Sequence, residues 1–333
     1  MLAPAAGRRR GEIPSFASMP RTTIHVPMSL NRQFATQACL LVRSLARNAR
    51  LPGDWNVVLT VSRDTDLALD TPLMHWTRDF PVSVHWVPEH WWERLHWSGT
   101  GLQMHLYEHD ADVVLYMDAD TLATGPLTEL VESLAAERVL AAWPAWQPPP
   151  DIDIDVVLRE CGVGGARRDL TYSGFGLAFE SPRHCPPYFN TGFVAVNGGL
   201  AREMARTLVA DFEDVAARFR TSWYVSQLAL CVNILRHGYP YRGLDMRYNA
   251  SNGPWNPDAP PPFPSPESAA VVAALNAMID DVRVLHYCVP TANFSRTRDM
   301  DGFARVRAFC ARGGLDSGSV RLQRALRSLL LTA

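Results

Sequence analysis

Val113-Val114-Leu115-Tyr116-Met117-Asp118-Ala119-Asp120-Thr121-Leu122 is the stretch on which the reading of this chain turns. Its first five residues form an apolar run and the strongest strand signal in the sequence, and two acids leave its end. Outward from it, short β-like runs alternate with longer helical ones. Towards the N-terminus, residues 22–26, 55–61 and 82–87 read as strands, 33–48 as an amphipathic helix, and a Trp-rich loop precedes a short helix near 103–108. Towards the C-terminus, 138–143, 188–197 and 282–287 read as strands, and 200–219, 222–236 and 269–278 as helices. Strands alternating with helices predict an α/β fold with a mostly parallel central sheet flanked by helices. The expected organisation is a flexible segment at 1–19, one domain over 20–315 and an amphipathic C-terminal helix within 316–333. The domain carries irregular insertions at 144–168 and 254–266, the second rich in proline.

The pattern D-x-D occurs six times, at Asp64/Asp66, Asp110/Asp112, Asp118/Asp120, Asp151/Asp153, Asp153/Asp155 and Asp299/Asp301, so the pattern alone selects nothing. Position selects. In an open parallel sheet, ligands sit beyond the carboxyl ends of the strands. Asp110/Asp112 precedes the central run and falls at the wrong end, whereas Asp118/Asp120 leaves it directly. Two carboxylates one residue apart in an extended segment point to the same side, roughly 7 Å apart. That spacing suits one hard divalent ion, Mn²⁺ or Mg²⁺, shared with phosphate oxygens of a ligand. The competing reading is a solvated acidic turn after a buried strand.

Composition removes other classes. With 32 basic and 34 acidic side chains the formal net charge is −2, so no long-range field favours nucleic acid. The sequence contains no lysine, and every one of its 32 fixed side-chain positive charges is arginine. A Walker A loop, a pyridoxal phosphate Schiff base and lysine nucleophiles are therefore excluded. Any bound phosphate must be met by arginine, histidine, backbone N–H groups or a metal. Cys39, Cys161, Cys185, Cys231, Cys288 and Cys310 form no C-x-x-C pair and read as reduced core residues, which predicts a cytoplasmic protein. No apolar segment reaches the roughly 18 residues of a membrane span.

Three segments together resemble one family. The run from Val113 to Leu122, followed by Gly125-Pro126-Leu127, is similar to the metal-binding segment of GT-A fold glycosyltransferases, especially glycosyltransferase family 8, the glycogenin and bacterial lipooligosaccharide galactosyltransferase group. Tyr188-Phe189-Asn190-Thr191-Gly192 resembles that family's Y-F-N-x-G strand, and Val284-Leu285-His286-Tyr287 its late strand ending in a metal-binding histidine. The resemblance covers about residues 20 to 310. It implies a GT-A (nucleotide-diphospho-sugar transferase) fold and transfer of a hexose from a nucleoside diphosphate sugar, a UDP-sugar, to an acceptor hydroxyl. It further implies Mn²⁺ or Mg²⁺ held by Asp118, Asp120 and His286, with Asp118 also near the ribose. Asn190 and Gln227 would orient the sugar, and Gly192 would let the backbone approach closely. Val26-Pro27-Met28-Ser29 would border base and ribose, and Ala119 would lie in the nucleotide site. The family retains anomeric configuration.

The chain also departs from the pattern. The family's acidic residue before glutamine is replaced by Ser226, its arginine upstream of the first metal aspartate falls near Gly101 with Arg94 the nearest substitute, and its late phosphate-binding lysine is missing, leaving Arg296 or Arg298 for the diphosphate. A degenerate binder of nucleotide sugar or glycan is therefore an alternative to an enzyme. A remoter one is a zinc peptidase, because His105-Leu106-Tyr107-Glu108-His109 matches H-x-x-E-H. Trp86, Trp91, Trp92 and Trp97 read first as core and rim residues, with stacking faces for an acceptor as the alternative. Asp151, Asp153 and Asp155 read as solvent-facing acids. Leu322, Leu326 and Leu329 share one face of the expected C-terminal helix, which reads as packing against the domain, with a membrane-surface contact as the alternative.

Overall fold

The computed structural model describes residues 19–95, 110–145, 153–165, 167–171, 184–219, 224–251 and 281–286. The expected helices at 103–108 and 269–278, the H-x-x-E-H segment, Trp97, Gly101, the proline-rich 254–266, Arg296, Arg298, Cys288, Cys310, the first 18 residues and the C-terminal helix lie outside the described residues.

The elements run β1 (Thr22–Met28), α1 (Arg32–Ser44), β2 (Trp55–Val61), β3 (Val82–Trp86), α2 (Glu89–Leu95), β4 (Val113–Met117), β5 (Thr121–Ala123), α3 (Thr128–Ala136), β6 (Leu140–Pro144) and α4 (Ile154–Glu160). They continue with β7 (Leu170–Thr171), β8 (His184–Cys185), β9 (Phe189–Asn197), α5 (Gly198–Met204), α6 (Leu208–Arg218), α7 (Val225–His237), β10 (Tyr241–Gly243), β11 (Ala250–Ser251) and β12 (Val284–His286). Seven strands form the main sheet in the order β10-β6-β9-β4-β1-β2-β3. Pairing is parallel except on the two sides of β9, which runs antiparallel to both β4 and β6. The mostly parallel α/β reading is thus correct.

β4 sits at the centre, and all five of its residues are buried. Alternation splits them between two cores. Val113, Leu115 and Met117 join the cluster that α1 and α3 cover. Val114 and Tyr116 join the one formed with α4, α5, α6 and α7. A strand buried on both faces needs no polar alternation, which is why its sequence is an unbroken apolar run. Arg21, just before β1, binds Asp110 bidentately at 2.9 Å and donates its N–H to Asp112 at 2.8 Å. That acid pair closes the opposite end of the sheet, as its place before β4 predicts.

Several local expectations are corrected. The helix read at 33–48 ends as an α-helix at Ser44 and continues as a π-turn over Leu45–Ala49, closed by Arg50 in the left-handed region. Part of the Trp-rich loop is α2. The insertion at 144–168 contains α4, whose Ile154, Val157 and Leu158 are buried at helical spacing. Asp153 and Asp155 are solvent-facing, as read, and Asp153 is in addition the N-cap of α4, accepting from the N–H of Asp155 at 2.9 Å and of Val156 at 3.4 Å. The single helix read at 200–219 is two. Asn197 caps α5 through Gly199 and Leu200, and the chain breaks before α6, where the Thr207 hydroxyl binds the Met204 carbonyl, Tyr239 and Asn233. Cys39, Cys161, Cys185 and Cys231 are buried and free, as expected. No described helix is long and apolar enough to cross a membrane.

Candidate functional site

The carboxyl end of β4 carries Asp118. The chain then turns sharply: the Asp118 carbonyl accepts both the N–H of Thr121 at 3.0 Å and its hydroxyl at 2.7 Å. Asp118 and Asp120 therefore lie on a turn and not on an extended segment. Folding back replaces the roughly 7 Å separation expected for a strand, and the two carboxylates converge. After the turn, β5 pairs antiparallel with β12, with Thr121 opposite His286. This pairing delivers a side chain from far along the sequence to the same place. One ligand atom each from Asp118, Asp120 and His286 lie within 4.8 Å of one another. Nε2 of His286 is 3.3 Å from Asp120 Oδ1 and 3.9 Å from Asp118 Oδ2.

β9 contributes from the other side. Because it is antiparallel to β4, its first residues lie beside the end of β4, with Phe193 opposite Met117. The Gly192 carbonyl accepts the Asp118 N–H at 3.0 Å. Asn190 accepts the Gly192 N–H through Oδ1 at 2.9 Å, and the same oxygen accepts from Nδ2 of Asn249 at 2.8 Å. The Oδ1 of Asn249 faces Nδ1 of His286 at 3.0 Å. Asn190 is thus tied to the trio by a chain of side chains.

Gly192 also makes room within the site. A Cβ there would stand 2.5 Å from Nδ1 of His286, closer still to Cε1, and 3.0 Å from Asn190 Oδ1. The space that glycine leaves is filled by the imidazole, so the absence of a Cβ seats that ring.

Tyr116 on β4, two residues before Asp118, donates its hydroxyl to Asp118 Oδ1 at 2.7 Å. Burial pushes this phenol well above its ordinary pKa, so it stays a donor. Asp118 is raised to about 6, first by desolvation. His286 opposes the rise, the charge on Asp120 adds to it, and the Tyr116 hydrogen bond opposes it. Its side chain is still 36% exposed, so the crowded carboxylate faces an opening to solvent. Two acids and an imidazole held this close repel or compete unless a cation lies between them. The donor set, two carboxylates and one imidazole, could hold a divalent metal ion.

The remaining predicted residues divide. Val26, Met28 and Ala119 bury their side chains in the core under α1, which leaves only their backbone for a ligand. Pro27 is tolerated within β1 because it lies past His25, the last residue paired to β4. Ser29 sits at the carboxyl end of β1, its hydroxyl 3.1 Å from that of Ser62 and 3.5 Å from both Asp64 oxygens. Asp64 was passed over in favour of Asp118, yet it too follows the carboxyl end of a parallel strand, β2, and the arrangement at Ser29 brings it to the same edge of the sheet. Gln227 is half-buried in the first turn of α7, and Ser226 is buried beside it. Arg94 turns away from the trio: it binds Glu213 on α6 at 2.5 and 2.6 Å and lies over the Trp91 ring. Tyr116 and Asn249 were missed. Tyr116 could have been found from its i, i+2 relation to Asp118; nothing in the periodicity marks Asn249.

No protein-family model and no curated protein sequence matches this chain. Solved structures do. The apo form of the bifunctional glycosyltransferase WbbM aligns with a TM-score of 0.51 and 17% identity over 84% of this chain and 47% of its own, so the chain spans about half of that protein's length. The galactosyltransferase LgtC, in complex with donor and acceptor sugar analogs, aligns with a TM-score of 0.50 and 16% identity over 91% of this chain and 99% of its own. The fold is accordingly that of the GT-A glycosyltransferases, and the resemblance to family 8 drawn from the three sequence motifs holds at the level of the fold.

Proposed function

We propose that this protein is a glycosyltransferase moving a hexose from a nucleoside diphosphate sugar, a UDP-sugar, to an acceptor hydroxyl, with Mn²⁺ or Mg²⁺ held by Asp118, Asp120 and His286. The observation that carries the reading is the convergence of these three side chains at the carboxyl end of β4, on a fold shared with enzymes that bind donor and acceptor sugars. A divalent cation bound there supplies positive charge against the diphosphate oxygen that becomes anionic as its bond to the anomeric carbon breaks. The chain has no lysine, so no ammonium side chain can supply that charge.

The chain's own residues orient. Tyr116 holds one oxygen of Asp118 so that the other faces His286. Asn190, anchored through Oδ1, offers its Nδ2 hydrogens to oxygens of the donor. Gln227 orients the sugar from α7. If configuration is retained, as in the family, Ser226 in place of an acid favours front-face return of the acceptor over a covalent glycosyl intermediate. Val26, Pro27, Met28, Ser29 and Ala119 border the nucleoside through backbone and the Ser29 hydroxyl, and Arg296 or Arg298 meets the diphosphate. The setting is cytoplasmic, and the amphipathic pattern at 316–333 suits packing on the domain first and peripheral membrane contact as the alternative.

The buried Ser226 also supports a second reading, a protein that binds nucleotide sugar without turnover. One experiment separates the two. UDP-sugars are incubated with the purified chain with and without Mn²⁺, and hydrolysis is followed. Slow Mn²⁺-dependent release of UDP, abolished in Asp120→Ala, is expected. Tight Mn²⁺-dependent binding with neither hydrolysis nor transfer would leave the binder, and absence of any Mn²⁺-dependent uptake would overturn both.

A further inference from the structure

We infer that Asn249 is a positioning residue that fixes the hydrogen of His286 on Nδ1 and thereby makes Nε2, the nitrogen facing Asp118 and Asp120, the ligating atom. The inference deepens the metal-site reading and rests on its trio.

The argument starts from a group whose polarity is not adjustable. The backbone N–H of Gly192 can only donate, and its acceptor is one terminal atom of the Asn190 amide at 2.9 Å; that atom is therefore Oδ1. The same oxygen lies 2.8 Å from the amide of Asn249, so the Asn249 atom facing it must be the donor, Nδ2. The other end of the Asn249 amide is then Oδ1, which carries no hydrogen, and it lies 3.0 Å from Nδ1 of His286. A hydrogen bond there requires the hydrogen on Nδ1. One strand N–H thus propagates through two amides to set the tautomer of an imidazole.

Burial gives the relay its force. Asn249 is fully buried and His286 is 6% exposed, so water cannot readily replace either partner. With the opposite tautomer, a bare Nδ1 would face a carbonyl oxygen inside the protein, leaving two acceptors without a hydrogen between them. Nε2 is thereby left to whichever cation sits before the two carboxylates, a proton or a metal. A metal ligand oriented by the group on its other ring nitrogen is a general device, and its removal typically costs about 10–100-fold in metal affinity. The relay has a second consequence. Asn190 Oδ1 already accepts two hydrogen bonds, so Asn190 meets a ligand as a donor through Nδ2.

The test uses the full chain, ¹⁵N-labelled, metal-free and Mg²⁺-loaded, with His286 assigned by comparison with His286→Gln. Long-range ¹⁵N–¹H spectra are expected to show a slowly exchanging hydrogen on Nδ1 in both states. Asn249→Leu removes the acceptor, so the Nδ1 hydrogen should lose its protection and Mn²⁺ affinity, read by electron paramagnetic resonance, should fall about 10–100-fold. Asn249→Asp keeps an acceptor for Nδ1–H and should retain both the protected hydrogen and most of the affinity, although it removes the donor to Asn190. A bare Nδ1 in the wild-type protein overturns the inference, as does equal Mn²⁺ affinity in Asn249→Leu. If the leucine variant does not fold, the wild-type spectrum and the aspartate variant decide. Failure of the wild-type protein to bind Mn²⁺ would instead remove the metal reading, while the Nδ1 signal still reports on the relay.

Discussion

Replacing Gly192 with alanine tests the geometry of the trio directly. The added Cβ would stand 2.5 Å from His286 Nδ1 and 3.0 Å from Asn190 Oδ1, against about 3.5–4.0 Å for an unstrained contact. The imidazole must retreat by about 1 Å, because the Cβ itself stands on β9, which is fixed on both sides by β4 and β6. A displacement of that size turns the 3.0 Å bond from Nδ1 to Asn249 into no bond at all. It also moves Nε2 relative to Asp120, now 3.3 Å away. Overpacking of this kind costs about 1–3 kcal/mol of stability. The larger effect should fall on the metal, with Mn²⁺ affinity reduced by about 100-fold or more as one ligand is misplaced and its orienting bond is lost. Calorimetric Mn²⁺ titration and urea unfolding of the metal-free protein measure the two effects separately. Gly164→Ala is the control, since a Cβ there meets nothing within 4 Å and its backbone is not left-handed. A Gly192→Ala protein that binds Mn²⁺ as tightly as wild type, with an unchanged unfolding midpoint, would refute the placement of His286 against β9.

Three further outcomes are expected. Tyr116→Phe deletes only the hydroxyl that holds Asp118 Oδ1, and should weaken Mn²⁺ binding about tenfold in titrations while the metal-free protein unfolds near the wild-type midpoint. Asp214 is held below the ordinary carboxylate pKa, first by its hydrogen bond from Arg236 at 2.7 Å. A lowered folded pKa gives stability that is present above the unfolded value near 3.8 and lost as pH falls through the depressed one, so wild type should exceed Asp214→Asn in urea unfolding at pH 7 and the gap should close in strong acid. Burial pushes the Cys185 thiol up to about 12 and Cys231 higher still, so iodoacetamide at pH 8 should label neither in the folded protein, by mass spectrometry, and both once urea unfolds it.

What could be read without coordinates follows from which interactions are local. β4 was legible because burial on both faces leaves a run of five apolar residues, and Asp118/Asp120 was selected because a parallel strand fixes which end carries ligands. α4 was not legible. Its apolar residues are spread over only seven positions, and Asp153, read as one of three alternating acids, is recognisable as a cap only once the helix behind it is known. The turn at Asp118–Thr121 was misread as extended, since a hydroxyl binding a carbonyl three residues back leaves no periodic trace. Position alone dismissed Asp64 too soon, because the rule that favoured Asp118 applies equally to the acid following β2. Gly192 was recognised as a motif residue, but the object it makes room for, the His286 ring, lies almost a hundred positions away.

His286 shows why a family resemblance and a fold were both needed. On its own strand it is a polar residue between apolar ones, and nothing nearby says which face it takes. The answer lies in register. β12 is only three residues long, yet it is held on both edges: Leu285 pairs with Leu122 on β5 and with Ala250 on β11. Just before it, the Thr124 N–H and hydroxyl bind the carbonyls of Arg283 and Val282, and the Arg283 N–H binds the carbonyl of Arg247. A slip of one residue would exchange the faces of Leu285 and His286, carrying the imidazole away from the two aspartates and leaving a leucine before them. Hydrophobic burial of Val284 and Leu285 therefore enforces the same alignment that the carboxylates require. Packing and chemistry select one register, and the third side chain of the proposed metal site is placed by the core rather than by the acids it faces.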